Sequence, residues 1–471
     1  MNNYKLQQNG FGSYDFSRPI DKESENYFWV DNQPLSNTFG QVLPPRLADL
    51  ADLSMAVYYA DRRTKRKEYS FKETGQRTIK ITLPIRDMEV WTDQKCNDEL
   101  SSLLYWLTED RWQITFKQLN NHKIEAKQYL FNTPVKQPNK TVLFSGGLDS
   151  LAGLCTLMDQ NPDCSFILFS GITNNNVFGV QKEIKRRLLH YHYKNSESRE
   201  IRSVEVPFGI RKLKPDQPEE KSQRSRGFVF ISLGAITAIL AESSELCVNE
   251  NGIGAINLPY NEGQLGIDNT RGSHPLTLIR ISQFLNLVLE KELKVINPFQ
   301  FWTKGKMCRS LNKPGLDTLA GMTISCDSFP LRIPVSHQCG TCTSCLLRRL
   351  SLFSAGLGVK DQASAYQHDV FNLKSFKSYD EKRKKLYPFL AMSDQANKIE
   401  SCLNSPLPWL ALMGVFPELR EIQESISKDT NQNQEKIAEL ILELYHEYIR
   451  EWKGFYNYLD KREIFSCSSM C

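Results

Sequence analysis

The chain has 471 residues, 40% hydrophobic and 24% charged, with 59 basic against 54 acidic groups and a formal net charge of +5. That length exceeds one ordinary core and predicts two or three domains. A charge this mild argues against direct nucleic-acid binding, and the composition is that of a soluble globular protein. The N-terminal Met1-Asn2-Asn3-Tyr4-Lys5 carries no apolar signal segment, and the most apolar run, residues 228–241, is too short to span a bilayer. The expected location is therefore the cytoplasm, away from membranes. Twelve cysteines in a reducing compartment predict metal ligands and core thiols, not a disulfide framework.

Residues 1–138 read as an accessory α+β domain, with strand-like runs at 78–83 and 112–116 and a helix at 47–62. The basic run at 62–67 reads as a solvated face. A polar, proline-bearing stretch at 133–140 reads as a linker. From Thr141 the pattern changes to short apolar runs alternating with helices. Strands are predicted at 141–144, 165–170 and 202–206, with further strand material at 247–248 and 254–258. Helices are predicted at 151–158, 179–193 and 228–241. Such alternation marks a doubly wound parallel sheet with helices on both faces, here over 139–358. Residues 359–471 read as a helical region, ending in a long amphipathic helix at 434–458.

The turn after the first of these strands is Ser145-Gly146-Gly147-Leu148-Asp149-Ser150. A strand, a Gly-Gly turn and a helix form a phosphate cradle. The glycines let the backbone approach an anion, and the helix start directs free N–H groups and a positive dipole end at it. Ser145 and Ser150 add hydroxyl donors, while Asp149 suits a Mg2+ ligand beside a triphosphate. The loop lacks the lysine of a Walker motif, which excludes that mode of γ-phosphate transfer.

Downstream, Cys339, Cys342 and Cys345 stand at i, i+3 and i+6, and Cys326 lies 13 residues before the first. Four thiolates at this spacing suit a closed, structural Zn2+ site. The CxxCxxC run alone is also compatible with an iron–sulfur cluster.

The hexapeptide at 145–150 resembles the SGGxDS loop of the PP-loop ATP pyrophosphatases. Together with Thr323-Ile324-Ser325-Cys326 and the run from Cys339 to Arg348, the chain resembles the 7-cyano-7-deazaguanine synthase family over about 141–358. Residues 226–233 and 297–304 are similar to further family segments. The resemblance implies a PP-loop fold with a zinc knuckle, and ATP-dependent adenylation of 7-carboxy-7-deazaguanine, a small deazapurine acid. It also implies anion-steadying roles for Arg226 and Lys304.

The loop spanning 257–263 and 269–275 departs from the housekeeping pattern. With the long flanks, it looks more like the enlarged members found in bacterial anti-phage operons, the Qat and type IV CBASS systems. That branch implies a protein partner from the same operon, whose amino group receives the activated acid. Glu262, Arg271 and His274 are then the candidate substrate contacts, with His274 also a candidate base and Arg271 suited to a carboxylate. Three other readings stand beside this one: a housekeeping synthase using ammonia, a PP-loop enzyme acting on tRNA, and a non-catalytic nucleotide sensor.

Overall fold

The structure is a computed structural model that describes residues 2–8, 12–19, 27–66, 76–119, 134–195, 199–210, 219–220, 222–260, 271–329, 337–371 and 378–460. The first part holds β1 (Asn2–Gln8), β2 (Ser13–Pro19), β3 (Tyr27–Val30), α1 (Gln33–Phe39), α2 (Pro45–Arg63), β4 (Thr78–Ile85), α3 (Met88–Trp91), α4 (Gln94–Thr108) and β5 (Arg111–Gln118). The middle holds β6 (Asn139–Leu143), α5 (Leu148–Gln160), β7 (Ser165–Ile172), α6 (Asn175–Asn195), β8 (Ile201–Ile210), α7 (Arg226–Leu240), β9 (Glu245–Cys247) and α8 (Gly252–Ile256). There follow α9 (Pro275–Leu289), β10 (Lys294–Ile296), α10 (Lys304–Cys308), α11 (Asp317–Met322) and α12 (Thr343–Ser354). The chain ends in α13 (Tyr379–Leu403), α14 (Pro408–Val415), α15 (Glu418–Thr430) and α16 (Gln434–Asp460).

Five strands, in the order β10-β9-β6-β7-β8, form an all-parallel core. From β6 the chain adds β7 and β8 on one side, then crosses back to add β9 and β10 on the other. Burial explains why these strands read as unbroken apolar runs: helices cover both faces. Side chains alternate between the faces. Phe166 and Leu168 pack with α5, whereas Ile167 and Phe169 pack with α7 and α9.

The first 118 residues do not stand apart from this core. Strand β3 pairs antiparallel with β8, and β1, β2, β4 and β5 continue outward, giving one ten-stranded mixed sheet among the described residues. Side chains of α2 and α4 share a hydrophobic cluster with α7 and α9. The expected boundary near residue 138 thus falls between β5 and β6, with no break in the packing. Between residues 379 and 460 the chain is helical, as expected of the C-terminal region, and α13 to α16 build a second cluster that also takes in α8 and α12.

Residues 254–258, expected as strand, instead lie in or just after the helix α8. The Asn251 side chain caps its start by accepting from the Gly254 N–H at 3.0 Å, and Asn257 in the left-handed region ends it. Capping at both ends decides the conformation of a short apolar run that periodicity leaves ambiguous. Among the described residues no helix is long and apolar enough to cross a membrane.

A buried ionic network joins α2 to the start of α7. Asp61 and Asp110 are fully buried and both bind Arg77, each at 2.5 Å. The other oxygen of Asp61 accepts from the Ser225 N–H at 3.1 Å and hydroxyl at 2.7 Å. Removing one member would strand a buried charge. Asp61→Ala is expected to lower stability by roughly 3–5 kcal/mol, read as a fall in the urea midpoint of unfolding.

Candidate functional site

Strands β6 and β9 are the neighbours at which the winding direction reverses. Ligands of open α/β sheets bind outside the carboxyl ends of such a pair, because the two departing loops diverge and leave a crevice. Here a cavity of about 300 Å³ opens at that point. The loop after β6 gives it Ser145, Gly146, Gly147, Asp149 and Ser150, and the loop after β9 gives it Asn249 and Glu250. Arg226, Lys304, Ile324, Ser325 and Asp327 complete the polar and upper walls.

Each loop residue has a local reason for its place. Gly146 has φ +76°, and a Cβ there would meet Gln181 at 3.0 Å, so the turn requires glycine. Gly147 precedes the first turn of α5, and its N–H bonds the Ser145 hydroxyl at 3.2 Å. Ser150 is buried and donates to the Gly147 carbonyl at 2.9 Å, closing the loop on itself. The Leu148 N–H donates to Ser325 Oγ at 3.2 Å, tying this loop to the opposite wall.

The electrostatic centre is an ion pair. Lys304 Nζ lies 2.7 Å from Asp149 Oδ2, and both side chains are largely buried. Asn251 Nδ2 bridges the carboxylates, donating to Asp149 Oδ1 at 3.0 Å and to Glu250 Oε1 at 2.8 Å. Burial, and then the charge of Asp149, push the Glu250 carboxyl well above its usual range. The two carboxylates in turn hold the Lys304 ammonium above its ordinary value despite its burial. One cation and two acids thus lie together beside the glycine turn of the loop after β6.

The four cysteines converge at the cavity's edge. The Sγ atoms of Cys326, Cys339, Cys342 and Cys345 all lie within 4.8 Å of one another, and the cluster could bind a metal such as zinc. Tetrahedral Zn–S bonds of ~2.3 Å would set the sulfurs ~3.8 Å apart, and Cys339 and Cys345 stand at 3.8 Å. Backbone N–H groups of Cys339, Thr341 and Cys342 point at these sulfurs at 3.2–3.4 Å, favouring thiolate charge. Gly340 has φ +80° and lies flush against the His368 carbonyl, where no Cβ fits.

The structure therefore brings together Ser145, Gly146, Gly147, Asp149, Ser150, Arg226, Lys304 and Cys326 at one cavity, while the Leu148 side chain lies in the core beneath it. It does not bring in His274 or Arg271. His274 caps α9, its Nδ1 accepting from the Leu276 N–H at 3.2 Å, with its ring 5.3 Å from that of Trp106. Burial and the nearby Arg271 and Arg280 depress its pKa to about 3, so the ring stays neutral and structural. Arg271 lies 4.4 Å over the Trp106 ring and binds the Trp106 carbonyl at 2.7 Å and Glu109 at 3.0 Å. Glu262 lies outside the described residues. Sequence reasoning missed Asn249, Glu250 and Asn251. Their one signal was a polar triplet one residue after a β-strand. Compared with known proteins, the chain matches no protein-family model and no curated protein.

Two outcomes follow from this geometry. His274 is depressed in the folded chain relative to its ordinary value, so the unfolded chain binds the extra proton first. Its contribution is present above about pH 6.5 and lost toward pH 3, at up to about 1.4 kcal/mol per pH unit. His274→Asn, which keeps a capping acceptor, is expected to flatten that part of the acid limb in urea titrations at stepped pH. Metal analysis is expected to find one zinc per chain, and Cys342→Ser to release it with a fall in thermal midpoint. Iron with sulfide would contradict the zinc assignment.

Proposed function

We propose that the chain is an ATP-dependent ligase with a PP-loop fold that adenylates a carboxylate at this cavity and releases pyrophosphate. The observation that supports this most is the Ser145–Ser150 loop at the sheet's switch point, with the Lys304–Asp149 pair beside it. The loop backbone at Gly146, Gly147 and Leu148, with Ser145 and Ser150, would hold the β- and γ-phosphates. Asp149, with Glu250 next to it, suits Mg2+, which would screen the charge of the leaving pyrophosphate. Arg226 and Lys304 would steady the α-phosphate as negative charge gathers on it.

The reaction is a substitution at phosphorus. A carboxylate oxygen bonds to the α-phosphorus of ATP, and the α–β bridging bond breaks to free pyrophosphate. An amine then attacks the acyl carbon, AMP leaves, and the amine's proton passes to solvent. The motif resemblance supports 7-carboxy-7-deazaguanine as the acid, in the manner of the enlarged 7-cyano-7-deazaguanine synthase-like proteins of anti-phage operons. It likewise supports the amino terminus of an operon-encoded partner protein as the amine, with ammonia as the alternative acceptor.

Asp149→Ala is expected to reduce pyrophosphate release at least about a hundredfold, a loss of the size seen when one preorganised polar group is removed from an active site, while far-UV circular dichroism stays unchanged. Near-normal release by this variant would sink the reading. Intact-mass analysis of co-expressed partner protein is expected to show a deazaguanine adduct that disappears with Asp149→Ala. Efficient conversion of ammonia with no mass gain on any partner would favour the housekeeping reaction.

A further inference from the structure

Behind the cavity, one face of α16 touches both loops that supply the ion-pair cluster. Leu444, Glu447, Tyr448 and Glu451 fall at helical spacing on that face. Leu444 packs where a Cβ on Gly252 would lie 2.7 Å from its Cδ2, and Gly252 opens α8 directly after Glu250 and Asn251. Two turns on, the Glu451 carboxyl lies flush against Gly305, the residue after Lys304, again with no room for a Cβ. Neither contact would survive a side chain at its glycine.

The contact at α10 is a hydrogen-bond relay. Thr303 caps this helix, its Oγ1 accepting from the Lys306 N–H at 3.0 Å. The same hydroxyl donates to Glu451 Oε1 at 2.7 Å. A threonine hydroxyl that only caps could rotate among acceptors, whereas one with a fixed acceptor has its lone pair fixed toward the helix. Arg309, at the other end of α10, binds Glu447 at 2.6 Å, so α16 grips this short helix at both ends. Burial pushes the Glu451 carboxyl up to about 7, and the contact that geometry shows is its oxygen accepting from Thr303.

We infer that Glu451 is a positioning residue, which holds Lys304 against Asp149 through the hydroxyl of Thr303. It touches neither the cavity nor Lys304 Nζ. Its effect is on the orientation of α10, and a displacement of about 1 Å at such a site is enough to change a rate by orders of magnitude. The inference concerns the ion pair itself and needs the proposed ligase activity only for one of its readouts.

The first readout is independent of activity. Acetic anhydride labelling followed by mass spectrometry measures how well Lys304 is protected, with the exposed Lys436 as internal reference. Glu451→Ala is expected to raise Lys304 labelling about tenfold, whereas Glu451→Gln, which keeps a carbonyl acceptor, stays within about twofold of the unaltered chain. Glu443→Gln, on the exposed face of the same helix, should match the unaltered chain. Continued protection of Lys304 in Glu451→Ala, or equal deprotection by Ala and Gln, would overturn the inference.

Should Glu451→Ala fail to fold, Thr303→Val against Thr303→Ser tests the same relay from its other end. Valine is expected to deprotect Lys304 and serine not, and equal labelling of the two would also overturn the inference. In the activity readout, Glu451→Ala should lower kcat for pyrophosphate release roughly 10- to 100-fold with KM for ATP within about twofold. An unaltered chain that releases no pyrophosphate would remove the proposed function and leave the labelling result to decide this one.

Discussion

The organisation of the site depends on one buried ion pair. Lys304 and Asp149 come from distant parts of the chain and meet at 2.7 Å where little water reaches them. A buried pair recovers its desolvation cost only with close geometry and further hydrogen bonds. Both conditions are met through secondary structure. Asp149 sits in the first turn of α5, where the helix dipole favours a carboxylate, and Lys304 opens α10 behind a threonine cap. Asn251 binds Asp149 from the start of α8, which its side-chain oxygen caps. Three helix starts therefore converge on one cluster, and each is fixed by its own capping or turn chemistry before any ligand arrives.

The thiol cluster belongs to the same construction. Ser325, directly before Cys326, accepts from the Leu148 N–H, while Ile324, Asp327 and Phe329 line the cavity. A metal held by Cys326, Cys339, Cys342 and Cys345 would thus fix one wall of the cavity. With four ligands and no open position, such a metal would be structural, held beside the wall that meets the loop after β6.

Much of this was legible in the sequence because it depends on local chemistry. The strand–turn–helix at 141–158, the cysteine spacing and the long apolar periodicities each arise from short stretches of chain, and the structure has all of them. The polar triplet Asn249-Glu250-Asn251 was not legible, because it follows a three-residue strand whose two partners lie 105 and 49 positions away. His274 misled for the opposite reason. A histidine before proline in a glycine-bearing loop looks chemical, but its ring is occupied as an N-cap against Trp106. The role of α16 was hidden because an amphipathic period says that a face is covered, not what covers it.

The long flanks invited the reading that they serve something outside the sheet. Both flanks also pack against the elements that carry the site. The edge of β8 is covered by β3, so a chain starting at β6 would expose an unpaired edge strand in the middle of the present sheet. The turn that delivers Arg226 to the cavity is gripped by Asp61, Tyr58 and Arg62 of α2. At the other end, α16 backs the helices that carry Lys304 and Asn251. The additions therefore carry part of the site's own rigidity.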